Sequence, residues 1–126
     1  MQDFQWQELT ENIIKCAFEV HCVLGSGFLE KVYENALVDE LARAGLKAVP
    51  QQPIEVVFKG KNVGDYQADI IVEDKIIVEL KALDRIMDAH ELQLKNYLKA
   101  TGLEVGLLIN FGKSVEVKRK YMKCEI

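Results

Sequence analysis

Hydrophobic residues recur every three or four positions in two N-terminal segments, which predicts two amphipathic helices. The first covers about residues 4–24 and the second about residues 28–44, with a Gly25-Ser26-Gly27 corner between them. The second helix is predicted to bury five apolar side chains: Leu29, Val32, Ala36, Leu37 and Leu41. Gly25 and Gly45 follow the two helices, and glycine is the residue that most readily adopts the backbone conformation that ends a helix.

From Ile54 onward the hydrophobic period changes to two, which is typical of β-strands. Five strands are predicted, at about residues 54–59, 63–72, 75–80, 104–110 and 115–121. A third helix is predicted at about residues 88–100, with Asp88 as its N-cap and Gly102 as its stop. Its apolar positions are Leu92, Leu94 and Leu98. Pro50 and Pro53 mark the passage into the strands, because proline fits poorly within a central strand.

The predicted order is therefore α-α-β-β-β-α-β-β within a single domain spanning residues 1–126. The strand at residues 104–110 is apolar without a break, so both of its faces must be covered. A mixed central sheet flanked by helices satisfies this requirement, and the fold class is α/β.

Composition agrees with a folded globule, since 49% of the residues are hydrophobic and 29% are charged. The N-terminus lacks the pattern of a signal peptide, and no apolar run approaches the roughly 20 residues that span a bilayer. Three cysteines, an odd number without CxxC spacing, argue against a disulfide framework. These features predict a cytoplasmic protein.

The net charge of −4 argues against binding of polyphosphate through a general basic field. Residues 113–123 are nevertheless strongly basic. Two interpretations stay open for these lysines: a solvated edge strand protected against aggregation, or contacts with phosphate groups.

Asp69, Glu79 and Lys81 are the first candidate site. Glu79 and Lys81 alternate along one strand and so point to the same side, and a hairpin brings Asp69 beside them. Burying charged side chains in so apolar a strand is costly unless they bind a metal ion or a charged partner. Two carboxylates suit Mg²⁺ or Mn²⁺, and an ammonium group suits the charge that develops on a phosphodiester during hydrolysis.

Two further groups of residues carry candidate chemistry. Gln93 and Tyr97 stand four residues apart on the third helix, so they share a face. Glu30 and Tyr33 lie at the start of the second helix, where Glu30 is also favoured by the helix dipole alone.

Together these residues resemble the PD-(D/E)XK nuclease superfamily, in particular its small GxxExxY family. The naming motif is matched by Gly27 to Tyr33, the superfamily signature by Asp69 with Glu79-Leu80-Lys81, and the Gln-x-x-x-Tyr element of the RecB-like branch by Gln93 to Tyr97. One departure is Ala68, which stands where proline often precedes the aspartate.

The resemblance implies a restriction-endonuclease-like fold and a Mg²⁺- or Mn²⁺-dependent nuclease acting on DNA. By that resemblance Asp69, Glu79 and Glu30 are metal ligands, and Lys81 is the catalytic lysine. Gln93, Tyr97 and Tyr33 would position substrate or water. The alternative is a non-catalytic module that keeps the fold and binds nucleic acid or protein, with a homodimer as one form it could take. A third interpretation is a metal-dependent hydrolase of a smaller phosphate ester.

Overall fold

The computed structural model of the protein describes residues 6–122. Three helices and five strands follow one another as α1 Gln7–Leu24, α2 Glu30–Arg43, β1 Ala48–Phe58, β2 Lys61–Val72, β3 Ile76–Lys81, α3 Asp88–Thr101, β4 Val105–Phe111 and β5 Val115–Tyr121. This order confirms the one predicted from the sequence. The predicted start of the first helix at Phe4 lies outside the described residues.

The five strands form one mixed sheet in the order β1-β2-β3-β4-β5. All neighbouring strands are antiparallel except β3 and β4, which run parallel and are connected through α3. Every residue of β4 is buried. The prediction that this apolar strand is covered on both faces is therefore confirmed.

Two clusters of apolar side chains pack on the sheet. The larger joins α1 and α2 to one face and includes Ile13, Leu37, Val78 and Ile109. The smaller lies under α3 and contains Ile54, Ala68, Ile71, Ile77, Leu94, Tyr97, Leu98 and Leu108. Because Ile77 belongs to the cluster under α3, strand alternation directs Glu79 and Lys81 toward that same side of β3.

β1 begins at Ala48, six residues before the predicted start. It includes both Pro50 and Pro53, which the sequence pattern places ahead of the strand. Because β1 is an edge strand paired only with β2, a missing N–H group is tolerated there.

The helices also differ from their predictions in three side chains and one cap. Leu29, Val32 and Leu92 are exposed, with 81%, 38% and 59% of their surface accessible. The first residue of α3 is Asp88, so the cap is Met87, whose N–H donates to the His90 ring. Within the part of the chain described, no helix combines the length and the apolar character that crossing a membrane requires.

Candidate active site

Asp69 and Glu79 meet where β2 and β3 separate. Their regular pairing ends at Ile70 and Val78, one step before these two residues. The Asp69 N–H donates to Glu79 Oε2 at 2.8 Å, and the Leu80 N–H donates to Asp69 Oδ2 at 2.8 Å. Each carboxylate thus accepts an N–H group of the opposite strand, in the place of the backbone carbonyl that would accept it in a regular ladder. These two hydrogen bonds fix both carboxylates at the end of the paired region.

Glu79 is 5% exposed, and its environment favours the protonated form. Burial, and to a smaller extent the negative charge of Asp69, raises the pKa of Glu79 to about 8. The hydrogen bond from the Asp69 N–H and the charge of Lys81 oppose this rise. Burial likewise raises the pKa of Asp69. The structure therefore concentrates negative charge that a proton, or a cation, would relieve.

Lys81 is the last residue of β3, half-buried and two residues beyond Glu79. Its charge lowers the pKa values of Asp69, Glu79 and Glu30. None of the ion pairs between described residues involves Lys81, so its ammonium group is not committed to a single carboxylate.

Buried Asn110 holds the chain that leaves this strand. Its side chain accepts a bond from the Leu83 N–H at 2.8 Å and donates to the Leu83 carbonyl at 2.9 Å. Asn110 is also the register partner of Lys81 across the parallel pair. A buried side chain therefore fixes both the strand end and the loop after it.

Glu30, the first residue of α2, lies within electrostatic reach of the pair. The residue is largely exposed, yet nearby protein atoms desolvate the carboxylate enough to raise its pKa. Lys81 lowers that pKa, whereas Asp69 and Glu34 raise it. Glu30 therefore interacts electrostatically with the charged residues of the site, while its carboxylate stays accessible to solvent.

Tyr33 lies away from solvent, with no exposed surface. Its hydroxyl donates to the Gly25 carbonyl at 2.7 Å and accepts the Phe28 N–H at 3.3 Å, and its ring stacks on Phe111. These contacts fix the glycine corner that precedes Glu30. The hydroxyl is buried and already has two partners, which gives Tyr33 a packing role, and its contact with substrate or water stays a prediction.

Gln51 and Glu34 belong to the site, although the sequence patterns did not single them out. Gln51 lies across from Asp69, between the pairs Pro50–Ile70 and Gln52–Ala68, and has a left-handed φ of 53°. Its amide donates to Glu34 Oε1 at 2.7 Å, and a hydrogen bond from Gln51 lowers the pKa of Asp69. The available signal was the four-residue spacing of Glu34 from Glu30, which places both on one face of α2.

The left-handed backbone conformation of Gln51 is strained. For a residue other than glycine it costs on the order of 1 kcal/mol or more, and such strain clusters at functional sites. Glu34 is 4% exposed and also pairs with Lys31 at 2.6 Å. The strained residue thus connects α2 to the carboxylate of β2.

Tyr97 reaches the site from α3. It is 7% exposed and belongs to the cluster that also contains Ala68 and Ile77. Burial raises the pKa of its hydroxyl, and the charges of Glu79 and Asp69 contribute to the rise. Gln93, one turn earlier, is half-buried and lines a groove beside Tyr97.

The donors fit a small divalent cation that keeps part of its water shell. The backbone N–H groups hold Glu79 Oε2 and Asp69 Oδ2, and Glu79 Oε1 accepts no hydrogen bond from a described residue, so this oxygen is available to a cation. Mg²⁺ usually takes one or two carboxylates and completes its shell with water and substrate phosphate. Across residues 6–122, no three His, Cys, Asp or Glu side chains already form a metal-binding group. The carboxylates that fit a divalent cation are therefore those of Asp69 and Glu79. Glu30 is not part of this pair.

Comparison with known proteins identified a family and solved structures of similar fold. A family model described as the PD-(D/E)XK nuclease superfamily matches residues 7–121. The structure titled "Crystal structure of SSO0001" has a TM-score of 0.62 and 19% sequence identity, over 95% of this chain and 61% of that one. The chain thus spans about three fifths of the length of that protein.

The second similar structure is an alkaline exonuclease (LHK-Exo) from Laribacter hongkongensis. Its TM-score is 0.55 at 10% identity, over 98% of this chain and 73% of that one. At these identities the two likenesses concern the fold. A comparison with functionally curated proteins found no match.

Proposed function

Since the chain belongs to the PD-(D/E)XK nuclease superfamily, we propose that it is a divalent-metal-dependent nuclease that hydrolyses phosphodiester bonds in DNA. The observation that carries the proposal is the reciprocal bonding of Asp69 and Glu79 to each other's strand, with Lys81 beside them. One neighbour of similar fold is named as an exonuclease, and this supports the same class of reaction.

In this proposal Asp69 and Glu79 hold Mg²⁺ or Mn²⁺ through carboxylate oxygens. The bound cation would supply an acidic, charge-neutralising centre for attack of water on the phosphodiester. The two backbone N–H bonds keep the carboxylates from rotating, so little reorganisation is needed when substrate arrives. Glu30, accessible at the start of α2, serves the site through water or by a change of side-chain rotamer.

Lys81 has two tasks that its position allows. A compact ammonium group can orient the attacking water, and it can stabilise the extra negative charge on the oxygens of the pentavalent intermediate. Its charge also lowers the pKa values of the acidic groups around it, which favours their ionised, metal-binding forms. Tyr97 and Gln93 position substrate from α3.

We also assign the chain to the GxxExxY family and the RecB-like branch. The motif from Gly27 to Tyr33 supports the first assignment. Tyr33 fixes the glycine corner that precedes Glu30, so the tyrosine of the motif holds its glutamate in position. The spacing of Gln93 and Tyr97 on α3 supports the second.

The test is cleavage of single- and double-stranded DNA by purified protein with Mn²⁺. We expect activity that disappears in Glu79→Ala and in Lys81→Ala. Glu104→Ala and Lys15→Ala, which remove exposed charges of the same sign elsewhere, should cut like the wild type. If both site variants also cut like the wild type, the activity belongs to a contaminant and the proposal fails.

The non-catalytic module is the second candidate, favoured by one observation: the net charge of −4 gives the protein no general basic field with which to bind nucleic acid. Calorimetric titration with Mn²⁺ separates the two. A nuclease should bind the ion in a manner that depends on both Asp69 and Glu79. Absence of Mn²⁺ binding by the wild type would favour the module.

A further inference from the structure

A groove of about 610 Å³ lies between the β1–β2 hairpin and α3. Its walls include Val57 and Tyr66 from the hairpin and Leu92, Gln93 and Tyr97 from the helix. Val57, Tyr66 and Leu92 are 58%, 50% and 59% exposed. Exposed apolar side chains concentrated in one concave surface commonly mark a binding site.

Two aromatic rings line the groove, and one of them, Tyr97, lies within electrostatic reach of the two carboxylates. The rings of Tyr66 and Tyr97 lie 5.7 Å apart, tilted by 47°. Tyr97 is almost fully buried, so it supports Tyr66, which keeps half of its surface open. An exposed ring held by a buried one is a suitable surface on which a planar group can stack.

The charges of the groove differ from those of the whole protein. The chain carries 20 acidic and 16 basic residues, yet the groove is lined by Lys99 and by no aspartate or glutamate. Gln93 and Asn96 add amide groups that can both donate and accept hydrogen bonds. An apolar floor with amides, one cation and no carboxylate suits a ligand with planar rings and a negatively charged backbone.

Tyr97 relates the groove to the candidate active site. Tyr66 precedes Asp69 by three residues on β2, a distance of about 10 Å along a strand. Tyr97 lines the groove and also lies within the electrostatic reach of Glu79 and Asp69. One extended strand could therefore occupy the groove and present its backbone to the carboxylates.

We propose that this groove binds the unstacked bases of single-stranded DNA, with one base stacked on Tyr66, so that single strands rather than intact duplexes are the substrate. This inference rests on the proposed nuclease function. In a duplex the base faces are hidden against their neighbours, and a single lysine supplies little of the electrostatic attraction that duplex binding needs. In a single strand every base has a free face, and stacking on aromatic residues supplies much of the affinity.

The test measures binding in EDTA, where a metal-dependent enzyme does not cut. Fluorescence anisotropy of a labelled oligothymidylate is compared for the wild type, Tyr66→Ala, Tyr66→Phe and Phe18→Ala. Phe18 is a matched control, because it is an exposed aromatic residue, 53% accessible, on α1. We expect Tyr66→Ala to weaken binding on the order of tenfold or more, the usual effect of losing one stacking ring. Tyr66→Phe and Phe18→Ala should bind like the wild type.

A duplex of the same sequence should bind more weakly than the single strand and should not respond to Tyr66→Ala. Equal binding of the single strand by the wild type and Tyr66→Ala overturns the proposal, and so does an equal loss for both DNA forms. Sedimentation of the same variants tests a second copy of the chain as the occupant. A change of mass in Tyr66→Ala without a change in DNA binding would also overturn the proposal.

These outcomes separate this inference from the proposed function. If the wild type binds single strands through Tyr66 but never cuts, the proposed binding of single strands in the groove is supported and the nuclease proposal fails. If the wild type cuts DNA, and Tyr66→Ala cuts and binds equally well, the nuclease proposal is supported and the proposed binding in the groove fails.

Discussion

Replacing Glu79 with glutamine should change how the stability of the metal-free protein depends on pH. The folded protein holds the pKa of Glu79 at about 8, against 4.5 for an ordinary glutamate. A raised pKa means that the folded state binds the proton more tightly than the unfolded state. The stabilisation is complete below pH 4.5 and is lost as the pH rises toward 8.

The magnitude follows from the difference in pKa. At about 1.4 kcal/mol per unit, the wild type should lose about 3 kcal/mol of unfolding free energy between pH 5.5 and pH 8 through Glu79 alone. Glu79→Gln keeps the shape and cannot ionise, so it should not show this loss. For a domain of this size the difference corresponds to a melting-temperature change on the order of 10 °C.

The assay is thermal and urea unfolding of both proteins in EDTA at the two pH values. At pH 8, Mn²⁺ at a hundredfold excess over its Kd should stabilise the wild type by about 2.7 kcal/mol and Glu79→Gln by less. Glu104→Gln is the control, since it removes an exposed carboxylate. If the stabilities of the wild type and Glu79→Gln fall in parallel between pH 5.5 and pH 8, the reasoning from burial and charge at this residue is wrong.

Three further changes test other parts of the structure. Gln51→Ala removes the amide that links β1 to two carboxylates, so Mn²⁺ affinity in calorimetry should fall on the order of tenfold, whereas Gln52→Ala should leave it unchanged. Tyr33→Phe deletes a buried hydroxyl with two partners and should cost about 1–3 kcal/mol in urea unfolding; a neutral result would contradict the role given to the corner. Gly106→Ala places a Cβ 2.7 Å from the Leu94 side chain and should cost about 1–3 kcal/mol, with partial recovery when Leu94→Val is added.

The sequence predicted the element order and the sheet class well, because periodicity is a local property. The fully apolar run of β4 required two covered faces, and the structure supplies them. The predictions that were wrong concern features set by tertiary structure, namely the burial of side chains and the position of a strand in the sheet. Leu29 and Leu92 lie on apolar stripes, yet neither has a partner surface that buries it. Pro50 and Pro53 are accommodated because β1 is an edge strand, a fact about the sheet that the local sequence does not contain.

For the candidate site, alternation along β3 and a short hairpin were sufficient to bring Asp69, Glu79 and Lys81 together. The sequence could not show that each carboxylate accepts the other strand's N–H, since that depends on where the pairing ends. It also could not identify Gln51, whose contacts with Glu34 and Asp69 join segments that are distant in the chain.

What the sequence determined by itself was the set of elements and the chemical groups they carry, because hydrophobic period and residue type are set locally. Only the tertiary structure decided which of those groups are buried and face one another. Burial and mutual distance set the pKa of Glu79 and the packing role of Tyr33, and both arise from long-range packing.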